Sequence, residues 1–288
     1  EHRLHSCSDK RAELQTVAAW AAGLHRTTPT TTIGIVLSNM AGDRVALEYL
    51  LRREFDCLGD SYNTLPVNFS TGIALVQAPL VRDALAALAM GLQYTTVPDV
   101  VGLLRSRFLD IPDAHSALAQ RLVTRLYSEG QQVLPVSDLR DMADKMSTGD
   151  GTRLELGQRL LALYRIQTSR RRARPSVWVG RFREVLSLWG WPGTQALDSL
   201  EFQQLELWYR TLDEFGAYDA VCQPVDFGDA LQLLRECCSR QISQPQTADR
   251  PVQVLGPLEA AGLTFEHLWL CGMQGASWPA TPRPNPFI

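Results

Sequence analysis

The sequence predicts an α/β fold in which a parallel sheet covered by helices is interrupted by a large all-α insertion. Residues 1–95 alternate strand-like and helix-like segments, and strand-like segments return at 252–255 and 267–271, whereas the long stretch between them carries helical patterns. Alternating strands and helices are typical of a parallel sheet. We therefore expect an α/β domain formed by 1–95 and 246–288, with the helical insertion at 96–245.

Four elements are predicted before the insertion. A helix at 9–24 buries one apolar face, and Asp9 is its expected N-cap because its carboxylate can accept a hydrogen bond from a free backbone amide. Residues 32–37 form a continuous β-branched and apolar run, which indicates a strand buried on both faces. Helices are expected at 41–55 and 80–92. The apolar positions of the helix at 41–55 are Val45, Leu47, Leu50 and Leu51.

The insertion is predicted to consist of amphipathic or buried helices. Seven of them are expected, at 97–108, 114–128, 137–145, 154–168, 177–189, 199–215 and 227–239. A polar connector at 243–250 contains Pro245 and leads back to the final strands.

The composition limits the possible classes of function. The chain has 288 residues, of which 45% are hydrophobic, and a formal net charge of −3, so any affinity for nucleic acid must come from a local basic patch. The six cysteines form no C-x-x-C pair and indicate reduced thiols. With no leader peptide and no run of ~18 apolar residues, we expect a soluble cytoplasmic protein without a membrane partner. The abrupt ends suggest a piece of a longer polypeptide.

The segment 252–279, VQVLGPLEAAGLTFEHLWLCGMQGASWP, resembles motif V of UvrD/Rep-type superfamily I helicases. In that family a strand leads into T-x-H-x-x-K-G-L-E-F, then a hydrophobic strand, a G-[LM] pair and a proline. The matching positions are Gly262, Leu263, Phe265, Gly272, Met273 and Pro279.

A second match lies upstream, where IGIVLSNMAGDRVALEYLL at 33–51 resembles the motif IV strand and helix of the same helicases. The stretch VNFSTG at 67–72 is similar to the AddB/RecB-like branch. Together with the closing PNPF at 284–287, the chain is most similar to bacterial probable DNA repair proteins, in which an inactivated helicase is fused to a PD-(D/E)XK nuclease. The resemblance implies a RecA-like second motor domain with a helical insertion, in a bacterial cytoplasmic protein.

The departures from the family pattern remove polar groups. The motif V threonine, histidine, lysine and glutamate correspond here to Gly256, Leu258, Ala261 and Thr264. The motif IV tyrosine and arginine fall on Ser38 and Asn39, and asparagine lacks the positive charge that stabilises a phosphoryl transition state. The sequence also contains no G-x-x-x-x-G-K-[ST] phosphate loop. We therefore expect no ATPase activity and no cofactor in this fragment.

Nuclease activity is also not expected. A PD-(D/E)XK site needs clustered carboxylates and a lysine around a divalent metal, whereas the acidic residues here are spread over helices and the only lysines are Lys10 and Lys145. Glu259 and His267 lie near motif V, but no nucleophile or metal set accompanies them. The expected catalytic and metal-ligating residues are therefore none.

An arginine-rich segment is the candidate nucleic-acid track. Its members are Arg170, Arg171, Arg172, Arg174 and Arg181, with Arg165 and Arg183 flanking them. Arginine forks suit phosphates, although a solvated helix end closed by Pro175 explains the same pattern. Gly262 and Leu263 are further candidates, because the motif implies a tight loop near nucleic acid or a neighbouring domain. A purely structural turn explains that glycine equally well.

Two other features have more ordinary interpretations. Four tryptophans, Trp178, Trp189, Trp191 and Trp208, could stack on bases, but core packing in a helical bundle is far more common. The vicinal Cys237 and Cys238 are better explained as small buried residues than as a redox pair.

The sequence thus favours a non-catalytic helicase-like module that positions single-stranded or forked DNA. The implied partners are DNA, an N-terminal RecA-like domain and a C-terminal nuclease domain of the same polypeptide. One alternative is an interdomain scaffold without DNA contact, in which the arginines are buried or paired with carboxylates such as Glu155 and Glu184. The other is half of an active helicase, which would need a substitute for the missing arginine and lysine.

Overall fold

The computed structural model describes residues 2–60, 64–90, 92–111, 117–146, 155–168, 172–244 and 250–275. In chain order, the elements are α1 (Lys10–Thr27), β1 (Ile33–Leu37), α2 (Met40–Glu54), β2 (Val67–Phe69), β3 (Ile73–Ala74), α3 (Pro79–Ala89), β4 (Tyr94–Thr96), α4 (Val97–Arg105), α5 (Ala117–Ser128), β5 (Val133–Pro135), α6 (Val136–Lys145), α7 (Leu156–Thr168), α8 (Pro175–Leu188), α9 (Ser199–Ala217), α10 (Phe227–Arg240), β6 (Ile242–Ser243), β7 (Val252–Leu255) and β8 (His267–Cys271).

The chain divides into two compact units. The first comprises Glu1–Ile73 and Gln244–Ile288, and the second comprises Ala74–Ser243. The first division therefore falls earlier in the chain than the boundary expected after residue 95. The reason is that α3, which was expected to cover the sheet, packs against α8, α9 and α10 of the second unit.

The first unit is an α/β structure built on a four-stranded parallel sheet, in the order β2-β7-β1-β8. Ile33 at the start of β1 is in register with both Val252 of β7 and His267 of β8. Side chains from one face of the sheet form a core with α1 and α2; it includes Leu14, Val17, Ile33, Ile35, Leu47, Leu51, Val67 and Val254. Every residue of β1 is buried, as the sequence predicts.

The first helix begins where its cap predicts. Asp9 Oδ1 accepts a hydrogen bond from Ala12 N–H at 2.8 Å, which satisfies one free amide of the first turn. The second helix differs from expectation at one position, because Val45 is 52% exposed while Asp43 and Arg44 are buried. A helix advances by about 100° per residue, so the face that buries Leu47 and residues 50–51 also carries 43 and 44 and turns Val45 outward.

The second unit is mainly helical, but the expectation of an all-α block was wrong in detail. Strands β4 and β5 form an antiparallel pair in which Thr95 lies opposite Leu134, and β3 pairs with β6. Each of these strands has two or three residues, too few for a period-two pattern to be recognised in sequence. The predicted helices of this region are present, with ends that differ by a few residues.

Aromatic residues fill the core of the second unit. Trp178, Trp189, Trp191 and Trp208 are all buried, which confirms the core interpretation of this cluster. Trp178 Nε1–H donates to Val225 O and Trp191 Nε1–H donates to Leu80 O, both at 3.0 Å, so neither indole carries an unpaired donor into the core. These rings are unavailable for stacking on bases. Among the residues that the structure describes, no helix is both long and apolar enough to cross a membrane.

Candidate nucleic-acid interface and the carboxyl edge of the sheet

Three positions that the resemblance to motifs IV and V singles out lie at one edge of the sheet. Strands β1, β7 and β8 are parallel and neighbours, so the residues that follow them lie at the same end. These residues are Ser38 after β1, Gly256 after β7 and Gly272 after β8. Parallel α/β sheets bind ligands at this carboxyl edge, which makes it the place to look for a nucleotide site.

Side chains from α1 and from the end of β1 surround the residue that follows β8. Gly272 N–H donates a hydrogen bond to Glu13 Oε1 at 2.7 Å, and Gly272 has a φ of +75°. A Cβ at this position would overlap Ser38 Oγ and would lie 3.6 Å from Lys10 Nζ. Ser38 and the side chains of Lys10 and Glu13 therefore lie close around Gly272.

The charged groups at this edge are already paired. Lys10 Nζ lies 2.7 Å from Asp43 Oδ2, and the Asp43 side chain is only 11% exposed. The Arg44 guanidinium lies over the Phe69 ring at 4.8 Å and is 3.9 Å from Glu48 Oε2. Sequence reasoning missed Lys10 and Asp43 as components of this edge, because only the parallel pairing of distant strands brings them to it.

Asn39 serves the helix that it precedes. Its Oδ1 accepts a hydrogen bond from Gly42 N–H at 3.2 Å, which caps α2. The amide oxygen of Asn39 is therefore hydrogen-bonded to the backbone, and the side chain carries no charge that could bind a phosphate.

The loop after β7 exposes further positions that the resemblance to motif V singles out. Leu258 is 89% exposed and Leu263 is 55% exposed, and Ala261 and Thr264 are also exposed. Gly262 has a φ of +83°, with open space where a Cβ would stand. The left-handed backbone of the turn accounts for this glycine, and no close approach by a neighbouring group is needed to explain it.

The arginine-rich segment is described in part. Arg170 and Arg171 lie outside the described residues, whereas Arg172 and Arg174 are exposed at the start of α8. Asp219 accepts hydrogen bonds from Ser176 Oγ at 2.6 Å and from Ser176 N–H at 2.9 Å, and so caps this helix. These bonds, together with the charge of Arg174, lower the pKa of the Asp219 carboxyl. A fixed negative charge therefore stands close to one candidate arginine.

The later arginines of α8 make ion pairs that are partly or fully exposed. Arg181 Nη1 lies 3.4 Å from Glu184 Oε2, and Arg183 Nη2 lies 3.4 Å from Asp213 Oδ1. Such pairs contribute about 0–1 kcal/mol and are screened by salt, so a phosphate can compete for these guanidinium groups. Glu155 Oε2 lies 4.0 Å from Arg159 Nη2.

Two buried cysteines have strongly raised pKa values. Burial raises the pKa of Cys271, the last residue of β8, to about 12, and raises that of Cys238 to a similar value. A thiol that stays protonated is a poor nucleophile and a poor metal ligand. Within the described ranges, no three His, Cys, Asp or Glu side chains are placed to hold a metal ion.

Comparison of the chain with protein-family models gives no match, and comparison with curated protein sequences gives none either.

Proposed function

We propose that the chain is a non-catalytic helicase-like module that positions DNA, with a RecA-like sheet unit and a helical unit inserted into it. Two segments that resemble motifs IV and V, from opposite ends of the chain, pair as the adjacent parallel strands β1 and β7. This pairing supports the proposal because the family pattern requires both motifs at one sheet edge.

Two contacts at that edge support the proposal that the module is non-catalytic. Glu13 holds the Gly272 amide, and Asp43 holds the Lys10 ammonium. A triphosphate would have to displace both contacts and would then face two carboxylates. The two carboxylates oppose its binding electrostatically. The ammonium of Lys10 is neutralised by Asp43, which leaves little positive charge to stabilise phosphoryl transfer.

The DNA-positioning part rests on Arg172 and Arg174, which are exposed, and on Arg170 and Arg171, which adjoin them in sequence. Arginine binds phosphates with a planar fork of donors, and salt-sensitive contacts of this kind dominate non-specific DNA affinity. We propose that this segment directs single-stranded or forked DNA toward a nuclease domain of the same polypeptide.

The experiment is a fluorescence-anisotropy titration of labelled single-stranded and forked DNA at two salt concentrations. The test variant changes Arg170, Arg171, Arg172 and Arg174 to Gln. A matched control changes four other exposed arginines of the second unit, Arg105, Arg121, Arg210 and Arg240, to Gln, so that both variants lose the same charge. We expect the test variant to lose at least tenfold in affinity and the control to lose less than threefold. Equal losses, or no binding at low salt, contradict the DNA role.

An interdomain scaffold is the second candidate. The pairing of Arg181 with Glu184 is the contact that this alternative predicts. It is favoured if DNA does not bind at low salt.

Half of an active helicase is the third candidate. It is tested by adding the remaining domains of the polypeptide and measuring DNA-stimulated ATP hydrolysis. Hydrolysis that depends on this chain would contradict the non-catalytic proposal.

A further inference from the structure

The second face of the parallel sheet is open along β8. Leu268 is 52% exposed and Leu270 is 45% exposed, although both stand on a strand of a parallel sheet. Parallel sheets are normally covered by helices on both faces, because the crossover connections place helices there. In this unit α1 and α2 cover the opposite face, where the core residues lie.

A groove of about 200 Å³ runs along this open face and is called here the β8 groove. Its lining is aliphatic and aromatic and includes Val36, Pro257, Leu263, Phe265, Leu268 and Leu270. The sheet residues form the floor, and the loop after β7 forms the wall. A volume of this size accommodates one or two large aliphatic side chains.

The groove is held in shape by a glycine in the sheet. A Cβ at Gly34 of β1 would lie 2.6 Å from Phe265 Cδ2 and 2.9 Å from Leu268 Cδ1. The absence of a side chain at Gly34 therefore lets Phe265 and Leu268 rest directly on the sheet. This packing against the sheet restricts both side chains, and such restriction reduces the entropy lost on binding.

Two glutamates adjoin lining residues of the groove in sequence, Glu259 beside Ala260 and Glu266 beside Phe265. From 251 to 275 the sequence contains Glu259 and Glu266 but no lysine or arginine. Glu266 accepts hydrogen bonds from Thr31 Oγ1 at 2.6 Å and from Thr32 N–H at 3.0 Å. These bonds lower the pKa of Glu266, so its negative charge persists at neutral pH.

We propose that the β8 groove is a docking surface for an amphipathic helix of another domain or protein, with leucine-like side chains in the groove and lysine or arginine beside them. We infer a helical partner because helices normally cover the faces of a parallel sheet. The apolar lining of the groove requires an apolar stripe on that helix, and Glu259 and Glu266 favour basic side chains beside the stripe. The proposal does not depend on DNA binding by the arginine-rich segment.

Two other occupants fit less well. A nucleic acid would bring phosphates to a surface that offers two carboxylates and no cation between 251 and 275. A second copy of the chain in a two-fold dimer would place the same acidic patch on both sides of the interface, so its like charges would repel.

The probe is a fluorescein-labelled helical peptide of 18 residues, with leucines at i, i+3, i+4 and i+7 spacing and lysines beside them. A second peptide carries glutamates in place of the lysines. We expect the lysine peptide to bind at least tenfold more tightly than the glutamate peptide, and this preference to shrink as salt is raised. Equal binding of both peptides would overturn the proposal.

Leu268→Asp is the test variant, since it places a charge on the groove floor at a half-exposed position. Leu58→Asp is the matched control, because Leu58 is 50% exposed and does not line the groove. Circular dichroism and thermal unfolding establish that both variants fold. We expect the lysine peptide to bind at least tenfold more weakly to Leu268→Asp and unchanged to Leu58→Asp.

Glu259→Lys tests the charge argument separately, and we expect it to reduce the preference for the lysine peptide. Sedimentation velocity and DNA titration test the other occupants. A dimer that Leu268→Asp dissociates would identify a second copy as the occupant and overturn the proposal. DNA binding that Leu268→Asp abolishes, and that the arginine variant retains, would identify a nucleic acid and overturn it as well.

Discussion

Gly272 at the end of β8 donates its backbone N–H to Glu13 Oε1 of α1 at 2.7 Å, which connects two residues from opposite ends of the chain. The hydrogen bond is charge-assisted, and it connects the end of β8 to α1. The same glycine has a left-handed backbone and lies against Ser38, so both its conformation and its surroundings exclude a side chain.

Gly272→Ala is expected to lower the free energy of unfolding by about 3 kcal/mol, because a left-handed alanine is strained and its Cβ would overlap Ser38 Oγ. Urea denaturation monitored by tryptophan fluorescence measures the change. The control is Gly275→Ala, since Gly275 has open space around its Cβ position and no positive φ. A loss below ~1 kcal/mol, or an equal loss in the control, would show that the contact with Ser38 relaxes easily.

Gly34→Ala is expected to destabilise the first unit by about 1–3 kcal/mol, since its Cβ would press on Phe265 and Leu268. Gly23→Ala is the control, and we expect it to change stability in the opposite direction. Gly23 lies within α1 with open space around it, so alanine there should stabilise the protein by up to ~1 kcal/mol. Urea denaturation of both variants tests the prediction, which fails if the two changes have the same sign.

The capping box of α9 gives a third prediction. Asp198 Oδ1 accepts from Glu201 N–H at 2.8 Å, and Glu201 Oε2 accepts from Asp198 N–H at 2.9 Å. Asp198→Ala should cost about 1 kcal/mol of stability, whereas Asp198→Asn, which retains an acceptor oxygen, should cost less than half of that. Thermal unfolding of both variants distinguishes the lost cap from a general effect of charge removal, which would make the two losses equal.

Stability should fall at alkaline pH because of the buried thiols. The pKa values of Cys238 and Cys271 are raised from 9.0 to about 12, so between these pH values the unfolded chain releases protons that the folded chain retains. The stabilisation that comes from keeping these thiols protonated is complete below about pH 9. As the pH rises further, each thiol lowers the free energy of unfolding by about 1.4 kcal/mol per pH unit. Urea denaturation at pH 8, 9 and 10 measures this slope. Cys271→Ala should make the decline shallower, and an unchanged slope would rule out this thiol as the cause.

The sequence was sufficient where local chemistry decides the structure. The cap at Asp9, the fully buried β1 and the exact bounds of β7 and β8 follow from hydrogen-bonding side chains and apolar runs within a few residues. The core placement of the four tryptophans follows from their size, because burial of such large apolar surfaces outweighs their use on a solvated face. The short strands β2 to β6 carry no comparable signal.

Tertiary structure alone decided which residues meet at the candidate sites. Lys10, Glu13 and Asp43 reach the carboxyl edge of β8 because β8 pairs beside β1, and sequence spacing contains no information on that pairing. The exposure of Leu268 and Leu270 on one face of the sheet is likewise a property of the packed sheet, since an apolar run in sequence is the same whether or not a helix covers the strand. Local periodicity determines which elements form, whereas the contacts between distant elements determine what those elements enclose and what they leave exposed.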